Sequence, residues 1–167
     1  MVPYDQDKIL ALRRIFGEPE IALEGGVLKV GSRRYPIVED VIILSDSAGG
    51  APEIQATFGE EWKTFDRILP EHRAEFDRYF DLVDPATLKD AWVCDLGCGI
   101  GRWSHFLKDR CRGLVLVDFS DAIFVARRNF AGVSNALFFK GDLRQLPFAP
   151  DFCDFLFCLG VLHHLPA

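Results

Sequence analysis

The stretch VCDLGCGIGRW, residues 93–103, decides the fold class of this 167-residue chain. An apolar run over residues 92–96 ends in three glycines at alternate positions, Gly97, Gly99 and Gly101, and a second apolar pattern follows. Without Cβ atoms, such a loop turns tightly and lets a ligand approach its backbone amides. In open α/β sheets, ligands lie beyond the carboxyl ends of the strands, where loops of this kind occur.

From residue 91 onward, strand and helix patterns alternate. Strands are predicted at 92–96, 113–117, 136–139 and 155–159, and helices at about 103–107 and 120–129. The strands are continuous apolar runs, as expected of parallel strands that are covered on both faces. The predicted fold class is therefore α/β, with the first four strands of a Rossmann-like, doubly wound sheet.

The N-terminal half has shorter elements. A helix is predicted over residues 9–16, ended by Gly17, and short strands at 27–30, 34–37 and 41–44, the first two joined by a turn at Gly31. The linker-like stretch SDSAGGAP follows, and then two helices with aromatic faces, at about 58–69 and 76–83. We predict three parts: a small α+β region over 1–52, a helical lead-in or lid over 53–90, and half of the doubly wound domain over 91–167.

Composition excludes several classes of protein. The net charge of −6 argues against a nucleic-acid-binding surface, which is expected to be basic. No run approaches the roughly 20 apolar residues that span a membrane, and the first residues do not form a signal peptide. The five cysteines have no metal-binding or disulfide spacing, so we predict buried free thiols, no metal and a reducing cytoplasmic location.

The spacing of the loop and its neighbouring acids indicates the ligand. A dinucleotide fingerprint needs a last glycine where this chain has Arg102, which disfavours a nicotinamide-dependent oxidoreductase. Asp95, two residues before Gly97, suits a cation better than a pyrophosphate. Asp118, at the end of the second predicted strand, is placed to accept hydrogen bonds from the hydroxyls of a ribose. The residues therefore predict a ligand with a ribose and a cationic group.

Four stretches carry a family resemblance: VCDLGCGIGRW, LVLVDFS, FKGDLRQLPF and DFLFCLGVLHHLP. In this order and spacing they resemble motifs I to IV of the class I S-adenosylmethionine-dependent methyltransferases of small-molecule type. The resemblance runs from about residue 91 to the last residue. It implies S-adenosyl-L-methionine as the cofactor and a small molecule as the methyl acceptor.

The resemblance also implies which residues bind the cofactor. Those around its methionine portion are Asp95, Gly97, Cys98, Gly99 and Gly101 in the loop, with Cys158 and Leu159 after the fourth strand. Those around its adenosine portion are Asp118 on the ribose, Phe119 beside the adenine, Asp142 on the adenine amino group and the backbone amide of Leu143. No catalytic residue is implied.

Several residues have a second interpretation. Asp118 could cap the following helix, and Asp142 could be an ordinary turn acid. Asp154 could make a structural bond or lie in solvent at the start of its strand. His163 and His164 could act as a base, although methyl transfer mainly needs alignment of the reactants.

A second, weaker resemblance covers residues 20–70. This stretch is similar to a small zinc-ribbon-like module that precedes some methyltransferase domains, but no cysteine occurs before Cys94. The module is therefore predicted to be degenerate, without zinc ligands.

The resemblance implies a sheet of seven strands. The strand at 155–159 is then left as an apolar edge, so we expect a longer protein, an oligomer or a partner that covers this edge. The predicted function is methyl transfer from S-adenosylmethionine to a small-molecule acceptor, with this chain carrying the cofactor-binding half. The alternative is a non-catalytic module that binds S-adenosylmethionine or acts as a scaffold.

Overall fold

One sheet of eight strands runs through the described part of the chain, residues 5–44 and 67–161 of the computed structural model. Its strands are β1 Ile21–Glu24, β2 Val27–Val30, β3 Arg33–Val38, β4 Val41–Ile43, β5 Trp92–Leu96, β6 Gly113–Asp118, β7 Ala136–Lys140 and β8 Phe155–Phe157. The α-helices are α1 Gln6–Phe16, α2 His72–Tyr79 and α3 Ala122–Asn129. Short 3₁₀ helices cover Pro85–Leu88, Ser104–Phe106 and Leu143–Gln145.

The strand order is β1-β2-β3-β4-β7-β6-β5-β8. The pairings from β4 through β7, β6 and β5 to β8 are parallel, whereas β1 to β4 form an antiparallel meander. The predicted α/β class with a Rossmann-like parallel sheet is confirmed. The predicted edge position of the fourth strand of the doubly wound half is also found, because β8 pairs with β5 at one end of the described sheet.

The N-terminal strands are continuous with this sheet. Val41 of β4 lies opposite Phe138 of β7 in parallel register, so the meander extends the parallel sheet. All three residues of β4 are buried, and a strand this apolar needs cover on both faces and a paired edge. The division of the chain into three parts stays a prediction, but β1 to β4 do not form a sheet of their own.

Two apolar clusters lie on opposite faces of the sheet. On one face, Leu114 and Leu116 of β6 belong to a cluster with Phe76 of α2 and residues of α3. On the other face, Val115 and Val117 pack in a cluster with residues of α1. Every residue of β6 is buried, which explains why this strand reads as a continuous apolar run.

Several predicted elements have different bounds. The first helix ends as predicted at Gly17, whose φ of 62° is left-handed, and the β2–β3 hairpin is present. β1 is not predicted, and the helix predicted over 103–107 is only the 3₁₀ turn Ser104–Phe106. Lys108 follows that turn, and its carbonyl oxygen accepts from the side-chain amide of Asn135 over 2.9 Å. In a longer helix this carbonyl would accept from a backbone N–H of the helix itself. The helix predicted over 58–69 lies almost wholly outside the described residues.

Asp154 makes a structural bond. Its carboxylate accepts from the backbone N–H of Trp92 over 2.8 Å and forms an ion pair with Arg14 of α1, also at 2.8 Å. Its own N–H donates to the Trp92 carbonyl oxygen. Asp154 therefore joins α1, β5 and the start of β8. Of its two interpretations, the structural bond is the one that the structure shows.

A partly buried ion pair connects the meander to α3. Arg127 Nη2 lies 2.7 Å from Asp40 Oδ2, and the two side chains are 15% and 12% exposed. Asp40 occupies the β3–β4 turn with a φ of 65°, a conformation that Asp and Asn tolerate better than most residues. Breaking such a pair leaves a poorly solvated charge, which costs more than breaking an exposed pair.

We expect Asp40→Asn to lower the free energy of unfolding by about 1.5–3 kcal/mol, because Arg127 loses a charged partner while the turn conformation is kept. Asp77→Asn is the matched control, since it breaks the Arg73–Asp77 pair, whose side chains are 46% and 55% exposed. That control is expected to cost less than about 1 kcal/mol. Urea unfolding of both variants measures the difference, and equal losses would contradict the role given to the Asp40–Arg127 pair.

Candidate functional site

The glycine loop, residues 97–101, is fastened to the end of β6. The N–H groups of Gly97 and Cys98 both donate to the carbonyl oxygen of Val117, over 2.8 and 3.0 Å. The N–H of Gly99 donates to Asp118 Oδ2 over 2.8 Å. The loop thus folds from the end of β5 across the end of the neighbouring strand, where a ligand is expected.

Two of the three glycines make room for side chains of the protein itself. A Cβ on Gly97, whose φ is 76°, would lie 2.3 Å from Val161 Cγ2. A Cβ on Gly101, whose φ is 79°, would lie 2.8 Å from the ring of Phe130. These two positions therefore need glycine for packing within the protein.

Asp118 is a buried carboxylate with several donors around it. Its Oδ1 accepts from both the N–H and the hydroxyl of Ser120, over 2.8 and 2.7 Å, and its Oδ2 accepts from Gly99. Burial raises its pKa, and these hydrogen bonds oppose that shift. Its donors among the described residues are the hydroxyl and N–H of Ser120 and the backbone N–H groups of Gly99 and Phe119. These bonds hold the carboxylate against the glycine loop at the end of β6.

The interpretation of Asp118 as a simple helix cap is not what its geometry shows. The N–H of Ala122, the first residue of α3, donates to the hydroxyl oxygen of Ser120 over 3.2 Å. Asp118 instead holds Ser120 and the glycine loop. The Asp118 carboxylate therefore binds the glycine loop, and Ser120 lies between it and the first turn of α3.

Asp95 lies at the corresponding place on β5 and is 1% exposed. Its Oδ2 accepts from the hydroxyl of Ser104 over 2.7 Å. Burial raises the pKa of Asp95 to about 7, the charge of Asp118 adds to this shift, and the Ser104 hydrogen bond opposes it. The two predicted carboxylates are therefore brought together on adjacent strands.

Asp142 lies in the turn after β7, beside the other two acids. The N–H of Gly141 donates to the Asp118 carbonyl oxygen over 3.0 Å, which fixes this turn against the end of β6. The Asp142 carboxylate accepts from the backbone N–H and the guanidinium of Arg144, and this hydrogen bonding holds its pKa below the usual value. The turn-acid interpretation thus describes the side chain as it stands, and an adenine contact requires Arg144 to move.

The other predicted site residues lie around these acids. Phe119 follows Asp118 and is half-buried, and Leu143 packs against the apolar cluster on the α1 face. Burial raises the pKa of the Cys158 thiol after β8, and the charge of Asp95 adds to this shift. Leu159 packs on the opposite cluster. Cys98 is buried and its thiol pKa lies well above the usual value, as befits a small loop residue.

Some predictions fall outside this geometry. His163 and His164 lie outside the described residues. All five cysteines are free thiols. Within residues 5–44 and 67–161, no group of three or more His, Cys, Asp or Glu residues could hold a metal ion, and no helix there is long and apolar enough to cross a membrane.

Sequence reasoning missed residues that hold the acids in place. Ser120 is one of them, although Asp-x-Ser is a common turn pattern in which an acid bonds the residue two positions later. Ser104 is another, and because Arg102 and His105 nearby are polar as well, no local pattern marks its burial. Val161 carries no recognisable signal, since its contact with Gly97 depends on the tertiary fold.

Comparisons with known proteins show what the chain is similar to. Residues 93–167 match the family model described as "Methyltransferase domain". Magnesium protoporphyrin IX methyltransferase from Synechocystis is similar in structure, with a TM-score of 0.55, 23% identity and coverage of 72% of this chain and 67% of that chain. YcgJ protein from Bacillus subtilis has a TM-score of 0.51 and 24% identity over 57% of this chain and 42% of that one.

A methyltransferase described as SAM-dependent from Aquifex aeolicus gives a TM-score of 0.50 and 20% identity over 60% of this chain and 55% of that one. No curated protein sequence matches the chain. The chain thus spans about half of the length of the solved structures it matches.

The described chain is a doubly wound α/β domain with buried acids at the ends of β5 and β6. The match of residues 93–167 to a methyltransferase-domain model, and a fold shared with solved methyltransferases, agree with the resemblance of the four motifs to class I S-adenosylmethionine-dependent methyltransferases.

The raised pKa of Asp95 predicts how stability depends on pH. Between the ordinary value of 3.8 and about 7, the folded chain keeps a proton that the unfolded chain has lost. Because the folded state binds more protons in this window, stability falls as pH rises through it. Asp95→Asn removes this contribution, so urea unfolding from pH 4.5 to 8 should show a smaller loss for the variant than for the original chain.

The control is Asp77→Asn, which removes a side chain that is 55% exposed. Its unfolding free energy is expected to follow the original chain in parallel at every pH. A parallel course for Asp95→Asn as well would show that Asp95 ionises normally in the folded protein.

Proposed function

We propose that this chain binds S-adenosyl-L-methionine at the glycine loop and serves methyl transfer to a small-molecule acceptor. The observation that carries the proposal is the buried carboxylate of Asp118, which lies at the end of β6 and accepts from the Gly99 N–H over 2.8 Å. Placed there beside the glycine loop, it suits the hydroxyls of a ribose as donors.

The residues present fit the cofactor. Two buried carboxylates on adjacent strands, Asp95 and Asp118, favour a ligand that carries positive charge and hydroxyl donors, because each such donor relieves part of the cost of burial. The turn at Asp142, on the other side of Asp118, would supply the N–H of Leu143 as a donor and, once Arg144 moves away, the Asp142 carboxylate as an acceptor. Phe119 offers an aromatic face beside the same strand end.

When bound, S-adenosylmethionine supplies a methyl group on a sulfonium, and the electron pair of the broken carbon–sulfur bond stays on sulfur. The task of this chain is to bind and orient that donor. Asp118 would hold the ribose, the loop around Cys98 and Gly99 and the residues Cys158 and Leu159 would surround the methionine portion, and Gly101 would support the loop by its packing.

The proposal that the methyl acceptor is a small molecule rests on the net charge of the chain. A net charge of −6 suits a small molecule better than a nucleic acid, whose phosphates it would repel. We also propose a reducing, cytoplasmic setting, because all five cysteines are free thiols. An oligomer or partner at the β8 edge, where Leu156 is 46% exposed, stays a prediction.

We expect Asp118→Asn to weaken binding of S-adenosylhomocysteine at least about tenfold, or about 1.4 kcal/mol, because a neutral amide is a poorer acceptor for the ribose. Asp121→Asn is the matched control, since it removes the same charge from a side chain three residues away that is 74% exposed. Calorimetric titration of both variants, with thermal melts to establish folding, makes the comparison.

Tight binding of NAD but not of S-adenosylhomocysteine would overturn the assignment of the cofactor. Binding of S-adenosylhomocysteine without methyl transfer to any small molecule, in the complete protein, would favour the non-catalytic alternative. Equal losses in Asp118→Asn and Asp121→Asn would remove Asp118 from the site.

The role of Asp142 can be tested by removing Arg144, which occupies the carboxylate that the adenine amino group would need. We expect Arg144→Ala to strengthen binding of S-adenosylhomocysteine, because it frees the carboxylate for the adenine amino group. Binding of S-inosylhomocysteine, which lacks that amino group, should not be strengthened. Calorimetry with both ligands measures the preference, and an equal effect on the two would show that Asp142 does not contact the amino group.

A further inference from the structure

A buried serine lies directly behind the first acid of the site. Ser104 is 0% exposed, and its hydroxyl donates to Asp95 Oδ2 over 2.7 Å. Asp95 itself is 1% exposed. A hydroxyl in such a position needs a partner, and so does a buried carboxylate, so that each satisfies the other.

We propose that Ser104 is a positioning residue: it fixes the orientation and charge of Asp95 so that this carboxylate can hold the ammonium group of the cofactor's methionine portion. The inference rests on the proposed function. It adds a residue outside the glycine loop on which recognition of the amino-acid end of the cofactor depends.

The backbone around Ser104 is well placed for this role. The next residue, His105, donates its N–H to the Gly101 carbonyl oxygen over 3.0 Å, and Leu107 donates to the Ser104 carbonyl oxygen over 3.0 Å. The hydroxyl is therefore fixed relative to the glycine loop. With Oδ2 held from behind by Ser104, the Asp95 carboxylate has one defined orientation instead of a free rotation about its last bond.

The groups around Asp95 oppose its negative charge. Asp118 faces it from β6 and its charge acts on Asp95, Cys98 belongs to the loop, Cys158 follows β8, and Cys94 precedes Asp95 on β5. None of these supplies a positive charge. The Ser104 hydrogen bond is the interaction that favours the ionised form, against burial and the charge of Asp118.

A prediction about pH follows from this balance. Asp95 has a pKa of about 7, so its charged form and the binding of an ammonium group both increase as pH rises through neutrality. Without the Ser104 hydrogen bond, the charged form appears only at higher pH. A role confined to packing would lower stability but would not move this pH dependence.

The experiment measures the dissociation constant of S-adenosylhomocysteine between pH 6 and 8.5 by calorimetry. Ser104→Ala is expected to weaken binding about tenfold at pH 7 and to move the midpoint of the pH dependence upward by about one unit. Ser104→Cys keeps the size of the side chain and a weak donor, and should give an intermediate shift. It also keeps the test valid if Ser104→Ala does not fold.

Two controls separate positioning from packing. Cys111→Ala removes a buried side chain of similar size, whose thiol donates to the Leu107 carbonyl oxygen, and should leave the pH midpoint unchanged. 5′-Methylthioadenosine has no amino-acid portion, so its affinity should be the same in Ser104→Ala and in the original chain.

The outcomes distinguish this inference from the proposed function. An unchanged pH midpoint in both Ser104 variants, or an equal loss of 5′-methylthioadenosine binding, overturns the positioning role while leaving the cofactor assignment intact. If the original chain binds neither ligand at any pH, the proposed function itself fails. A shifted midpoint with normal 5′-methylthioadenosine binding supports both.

Discussion

The hydrogen bond from the Gly99 N–H to Asp118 Oδ2 is the interaction on which the site depends. It joins the loop that leaves β5 to the end of β6, and the Val117 carbonyl oxygen strengthens the same junction by accepting from Gly97 and Cys98. Because the loop is held by its own backbone groups, its conformation exists before any ligand binds. Such preorganisation reduces the ordering that binding must otherwise impose.

Burying the carboxylates of Asp95 and Asp118 on adjacent strands is unfavourable. A serine that donates hydrogen bonds to each carboxylate offsets part of this cost. Ser120 gives two donors to Asp118, and Ser104 gives one to Asp95. Both acids nevertheless keep raised pKa values, because burial outweighs the hydrogen bonds. A ligand with hydroxyl and ammonium donors, as proposed for this site, would offset part of this unfavourable burial.

Local sequence was sufficient to predict the part of the fold that surrounds the loop. Strands β5 to β8 are apolar runs with clear ends, and Asp118 follows from its place at such an end. The pairing of β4 with β7 could not be predicted, because Val41 and Phe138 are distant in sequence and no local pattern encodes their register. Two hydrogen bonds of the site could not be predicted either, namely those from Ser104 to Asp95 and from Arg144 to Asp142. Both depend on side-chain positions in three dimensions.

The glycines correctly predict a tight loop, but ligand binding is not the only reason why glycine is required there. Gly97 and Gly101 exclude a side chain because Val161 and Phe130 occupy that space, and the same requirement would exist in a protein without a ligand. Only Gly99 has its amide directed at an acid of the site. Glycine spacing therefore indicates the tight loop, whereas the paired acids behind it indicate what the loop binds. A chain that kept the glycines but replaced Asp118 would keep most of the packing and lose the basis for recognising a ribose.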